Sequence, residues 1–177
     1  MAMCNGLASS PDRRVWRAAL AALSCLALSP GLVAARALPS AESSKISVIT
    51  FGRGDQVHQY FGHNAFVVSS PELGEPVVFN YGMFTFGPDM IPNFLKGRLR
   101  FWVGTTALRS TAALYAANNR DVRIRELNLE LRARSAILEK LFQDVRPENR
   151  EYLYDHYFDN CSTRLGDVLD HASSAKV

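Results

Sequence analysis

The sequence predicts an α+β fold, a mostly antiparallel sheet with flanking helices, and three observations lead there. Short β-branched runs alternate apolar and polar residues and are separated by turn chemistry, one later segment carries its apolar residues at helical spacing, and the two kinds of segment interleave along 177 residues. That length suits one folded domain, and 47% hydrophobic with 21% charged residues is a globular composition. Hairpin-linked strands seldom build an all-parallel sheet, so the antiparallel layout is expected.

Lys45–Phe51 alternates and is β-branched, which makes it a strand. Residues 52–60, with two glycines, form a loop, and His63–Ser69 is the second strand. Pro71–Pro76 with Gly74 inside is a turn, so Val77–Tyr81 should return antiparallel and complete a hairpin. Met90–Leu95 is predicted as a turn or two of helix, Leu99–Thr105 as a strand, Thr111–Asn118 as an Ala-rich helix and Val122–Leu127 as a half-exposed strand. In Leu131–Val145, Ile137, Leu138, Leu141, Phe142 and Val145 share one helix face, and Pro147 ends it. Asp159 and Asn160 are favoured helix caps, so Cys161 should open a last helix through Leu165, Val168 and Leu169.

The amino-terminal segment is an address rather than part of the fold. Arg13, Arg14 and Arg17 precede the apolar run Ala18–Leu28, followed by Ser29-Pro30-Gly31 and the small-residue pattern Ala35-Arg36-Ala37, the order of a secretory signal peptide over residues 1–37. The apolar run is shorter than the ~18–20 residues of a spanning helix, which disfavours an uncleaved anchor. The Arg13-Arg14 pair is a weak twin-arginine signal. Residues 38–44 form a mobile leader, and the domain runs from 45 to 177. Four of the 20 basic and one of the 17 acidic side chains belong to the signal, so the mature part balances at 16 and 16. A balanced, scattered charge supplies no basic stripe and argues against a nucleic-acid partner.

Export sharpens the cysteine count. Cys4 and Cys25 leave with the signal, and Cys161 stays alone in an oxidising compartment where paired cysteines are the norm. It is either a small buried hydrophobe or a reactive thiol. At the first turn of a helix, unpaired N–H groups and the positive dipole end stabilise a thiolate. Such a thiol needs a base. His171 lies too far along the same helix, His156 is assigned to the surface, and His63 begins a strand directly after Gly62, where a partner can approach closely. Residue pattern leaves His63 open between a base and a hydrogen-bonded sheet-end histidine. It leaves Asn80, on a neighbouring rung, open between fixing the imidazole tautomer and forming a turn.

At these residues the chain resembles the Lnb N-terminal periplasmic domain family of exported bacterial proteins. The matching segments are Phe61-Gly62-His63, Val78-Phe79-Asn80-Tyr81-Gly82, Lys96-Gly97-Arg98-Leu99 with Trp102-Val103-Gly104, Glu126-Leu127-Asn128-Leu129, Pro147-Glu148-Asn149-Arg150, and Tyr154-Asp155 through Asp159-Asn160-Cys161-Ser162-Thr163-Arg164. They run in order over about residues 45–170. The resemblance implies a circularly permuted papain-like thiol fold, similar to lecithin:retinol acyltransferase. It also implies lipoprotein N-acylation through a Cys161 thioester, with Cys161 as nucleophile, His63 as base and Asn80 as orienter. Permuted relatives place a second His where this chain has Asn80. Proteins of this type often continue into membrane-spanning segments, so a chain that stops soon after Cys161 is expected to be C-terminally truncated.

This chemistry calls for no cofactor, for a lipid or lipoprotein substrate at the membrane surface, and for a location in the periplasm or at the outer face of the inner membrane. The Cys161 N–H is the first expected oxyanion donor. Tyr154 or the Asn160 amide is the second, against packing for Tyr154 and helix capping for Asn160. Phe84, Phe86, Met90, Ile91, Phe94 and Leu95 are expected either to line an acyl groove or to pack as core. Two other readings stand beside the acyltransferase: a cell-wall amidase or peptidase of the same fold, and a non-catalytic envelope binding module. A metal is not expected, because His58 and His63 have neither helical nor finger spacing. Asp155 and Asp159 do not make a glycosidase pair, since a solvated helix face or a cap explains them more simply. Phosphate-loop and dinucleotide fingerprints are absent from the sequence.

Overall fold

The computed structural model describes residues 38–55, 59–84, 87 and 90–174. The expected signal peptide and His58 lie outside the described residues. Among the described residues six strands form one antiparallel sheet in the order β5-β1-β2-β3-β4-β6. They are β1 (Lys45–Phe51), β2 (His63–Ser69), β3 (Val77–Met83), β4 (Arg100–Ala107), β5 (Val122–Glu126) and β6 (Glu151–Leu153). The helices are α1 (Met90–Leu95), α2 (Leu108–Ala117), α3 (Leu131–Asp144) and α4 (Cys161–Ser174).

Alternation along the central strands sends residues to two different cores. Ile46, Phe66, Val68, Val77, Phe79, Tyr81 and Val103 face α3 and α4, where they meet Ile137, Leu138, Leu141, Phe142, Leu165 and Val168. Ile49, Phe51, Ala65, Val67 and Val78 face the other way, against Leu108 and Tyr115 of α2. Both layers are amphipathic solutions to the same need, since a sheet buried on both faces must carry apolar residues at odd and even positions. The aliphatic stripe predicted for α3 is the one that is buried, with Ile137, Leu138 and Leu141 fully covered.

Some boundaries differ from the sequence expectation. Helix α2 starts at Leu108, three residues before Thr111, straight out of β4, and Ala107 at its cap position makes no side-chain hydrogen bond, so the usual start signal is missing. Strand β6 is an addition to the elements that the sequence predicts. Its three residues pair with β4 through Arg100↔Leu153, Phe101↔Tyr152 and Trp102↔Glu151, and so short a run carries no readable period.

Candidate functional site

The site forms where the carboxyl end of β3 and the start of β2 meet the first turn of α4. The β2–β3 register pairs Phe66↔Phe79, Val67↔Val78 and Val68↔Val77. Continued toward the strand ends, it sets His63 across from Gly82, with Asn80 diagonal to it on the same face. That diagonal is closed by a hydrogen bond, with His63 Nε2 2.7 Å from Asn80 Oδ1. Asn80 is buried, and the His63 ring stacks on Phe51 at 5.9 Å. Because Asn80 Oδ1 can only accept, the bond places a proton on Nε2 and leaves Nδ1 as the basic nitrogen.

Gly62 and Gly82 make the approach possible. Gly62 has φ +73°, and a Cβ there would stand 2.8 Å from the Phe51 carbonyl, so only glycine lets the chain turn into β2 at this point. Gly82 has φ +132°, and its missing side chain is the opening through which α4 reaches the histidine. A Cβ there would lie 3.2 Å from His63 Cε1, 3.9 Å from Nδ1 and 3.8 Å from Cys161 Cβ. Gly82 stands out in the sequence only as part of a motif, because a glycine after a strand is ordinarily a turn signal and the close approach is visible only once α4 is in place.

The α4 amino terminus is built by Asn160. Its Oδ1 accepts from the N–H groups of Ser162 and Thr163, at 2.9 and 3.2 Å, while its own N–H donates to Thr163 Oγ1. The Arg164 N–H bonds the Asn160 carbonyl. These bonds leave over the Cys161 N–H among the amides of the first turn. The Asn160 side-chain nitrogen donates to the His156 carbonyl, so the whole amide serves the cap and the loop before it.

Cys161 is half-buried and is the free cysteine of the described residues. Burial pushes its thiol pKa up. Hydrogen bonding and charge from His63, the Asn64 N–H and the Ser162 hydroxyl outweigh that, so the thiol is lowered to about 7. Asn64 also ties strand to helix through Nδ2, which donates to Ser162 Oγ at 3.3 Å. Strand β2 therefore turns His63 to the α2 face and Asn64 to the α4 face, and both contact the helix start.

The segment leading to Cys161 is held as a tight loop. Asp155 and Asp159 exchange backbone hydrogen bonds at 2.9 and 3.1 Å, and Asp155 Oδ1 accepts from the N–H groups of Tyr157 and Phe158, which hold its carboxyl below the usual range. Asp159 takes two bonds from the Arg164 guanidinium, 2.5 and 2.7 Å, and Arg164 lies 4.1 Å over the Tyr152 ring. The two carboxylates thus belong to a loop and an ion pair, not to the helix face or cap expected of them. The Arg164 clamp was not legible in the sequence, since nothing in the spacing alone distinguishes it from a solvated helix residue.

Tyr154 stacks on Phe101 at 4.3 Å, and its hydroxyl is 3.3 Å from His156 Nδ1. Burial raises its pKa, and the negative charge of Cys161 raises it further, so the ring senses the thiolate. His156 is exposed, and His171 is exposed in the last turn of α4. Of the expected groove residues, Phe84 stacks on Phe101 at 5.0 Å and Leu95 is 78% exposed. Phe86 and the side chains of Met90, Ile91 and Phe94 lie outside the described residues.

Fold and site define an α+β protein that holds one thiol at a helix amino terminus beside a histidine and a buried asparagine. The Lnb N-terminal periplasmic domain matches residues 35–177, and the chain belongs to that family. It is accordingly an exported, periplasmic protein of the cell envelope. No curated protein and no solved structure matches it.

Proposed function

We propose that the protein is a Cys161–His63 thiol acyltransferase that N-acylates lipoproteins through a thioester on Cys161. The observation that carries the reading is the placement of a thiol lowered to about 7 beside an imidazole whose far nitrogen is hydrogen-bonded to Asn80 at 2.7 Å. A thiolate at neutral pH, a base and a group that fixes the base's tautomer are the parts that nucleophilic acyl transfer requires. The His strand precedes the Cys helix in the chain, which supports the circularly permuted papain-like arrangement.

In the first half-reaction the Cys161 thiolate attacks the ester carbonyl of the donor. The tetrahedral oxyanion faces the Cys161 N–H, with Tyr154 as a second donor. As the C–O bond breaks, protonated His63 gives its Nδ1 proton to the departing alcohol and the thioester remains. In the second half-reaction the accepting amine attacks the thioester and neutral His63 takes the proton that the amine loses. The C–S bond then breaks, and the thiolate–imidazolium pair is restored. Asn80 keeps Nε2 protonated throughout, so Nδ1 alone exchanges the proton. The Asn160 amide has no part in this scheme beyond fixing the helix start.

The test is transfer from a phospholipid to a peptide with an amino-terminal Cys, followed by mass spectrometry. The wild type should yield the N-acyl peptide, Cys161→Ser should not, and His63→Ala should nearly abolish the yield. Cleavage of muropeptides without acyl transfer would assign the same site to a cell-wall amidase or peptidase. Transfer by Cys161→Ala at the wild-type rate would end the thiol mechanism.

A further inference from the structure

The most exposed rings among the described residues gather on the two segments that lead into this site. Phe61 is 80% exposed, Tyr157 78%, Phe158 85% and Tyr60 59%. They come from two segments distant in sequence, joined where Phe61 meets the His156 ring edge-on at 5.2 Å. His156 in turn meets Tyr157 at 5.1 Å, so the rings form one patch. Phe61 stands two residues before His63 and Phe158 three before Cys161, and His156 within the patch lies 3.3 Å from the Tyr154 hydroxyl. Its presentation is built rather than incidental. The Asp155 carboxylate holds the Tyr157 and Phe158 amides, and Asp159 is tied to Arg164, so the local backbone is fixed while the rings point outward.

Leaving large apolar rings in water is unfavourable, and contiguous ones mark an interaction surface. We propose that this aromatic rim inserts into the interfacial layer of a phospholipid bilayer and seats the Cys161 site on the membrane surface. A cation stands among the rings. The Asp155 and Asp159 carboxylates are engaged within the loop, while the Arg53 guanidinium lies 5.8 Å over the Tyr60 ring, where it meets lipid phosphate as the rings enter. Amphipathic Tyr and His with apolar Phe are the side chains that suit a headgroup boundary. The proposal rests on the acyl-transfer reading for its purpose, since seating would deliver an ester from the bilayer to the thiol.

The experiment is vesicle flotation of the chain recovered from the periplasm, with vesicles of phosphatidylethanolamine and phosphatidylglycerol. The Cys161→Ser background separates binding from chemistry. The chain should float with vesicles, and Tyr157→Ser with Phe158→Ser should weaken partition at least about tenfold, because two large rings no longer leave water. Added salt should change it little, because one arginine releases few counterions. Iodoacetamide labelling of Cys161 in the otherwise wild-type double variant should keep its rate, which shows that the site is intact. In a separate Phe158→Trp variant, brominated lipid should quench the new tryptophan. Equal flotation of variant and parent, or an unquenched tryptophan, overturns the proposal even where acyl transfer from detergent-dispersed substrate proceeds. Dimers that the double variant loses, with no flotation of either, would also overturn it and give the patch to a second copy.

Discussion

At the residue scale, the opposing effects on Cys161 decide its chemistry. Burial disfavours the thiolate, and the imidazole, an amide and a hydroxyl favour it more strongly, with the result near 7. The sign gives a pH dependence, because the thiolate is the reactive form and its fraction rises as pH increases. Alkylation by iodoacetamide should reach half its maximal rate near pH 7 in the wild type, and His63→Ala should move that midpoint toward the free-thiol value of about 8.5. An unmoved midpoint would show that His63 does not activate the thiol. Asn80→Ala removes one bond from an imidazole that becomes charged, so acyl transfer should fall roughly 10- to 100-fold, the equivalent of ~1.5–3 kcal/mol. A residual rate measured against His63→Ala distinguishes an orienting group from a reacting one.

At the element scale, the site depends on where β3 ends and α4 begins. Gly82→Ala puts a Cβ 3.2 Å from the His63 ring, in a backbone conformation at φ +132° that side chains rarely adopt. It should cost ~1–3 kcal/mol of stability and lower the alkylation rate at pH 7, measured by thermal melting and labelling. Asn160→Ala removes the cap of α4, so melting should fall by about 3–5 °C, the result of losing ~1 kcal/mol. Strands β1 and β2 were legible to the residue because alternation and flanking glycines agree there, and Asn160-Cys161 announced a helix start through capping chemistry. The start of α2 and the whole of β6 were not. The first lacks a capping side chain, and the second exists only because β4 offers it an edge, which is a tertiary cause with no local trace. Likewise His63, Asn80 and Cys161 could be listed from residue type, but Gly82, Asn64 and the Arg164 clamp belong to the site only through contacts that folding makes.

At the scale of the whole molecule, the sheet separates two layers, and α3 with α4 locks the thiol helix to the strands that carry His63 and Asn80. Leu141 is fully buried between α3 and this face, and Leu141→Ala should destabilise the domain by ~2–5 kcal/mol in chemical denaturation. Tyr81 couples the same layers, its hydroxyl donating to the Asp144 carboxylate at 2.8 Å between Asn80 and Gly82 in the chain. About 100 residues separate His63 from Cys161 in sequence, so their meeting is a property of the complete fold. The fold, the family and the periplasmic setting agree on an envelope protein, and the remaining claim is that its thiol forms a bond to an acyl chain. The most direct measurement is peptide mass spectrometry of the wild type and Cys161→Ser after incubation with a phospholipid and no acceptor. The wild type should carry an acyl adduct on the peptide bearing Cys161, released by neutral hydroxylamine and absent from the variant. An unmodified Cys161 in folded protein whose thiol still alkylates at pH 7 would contradict it.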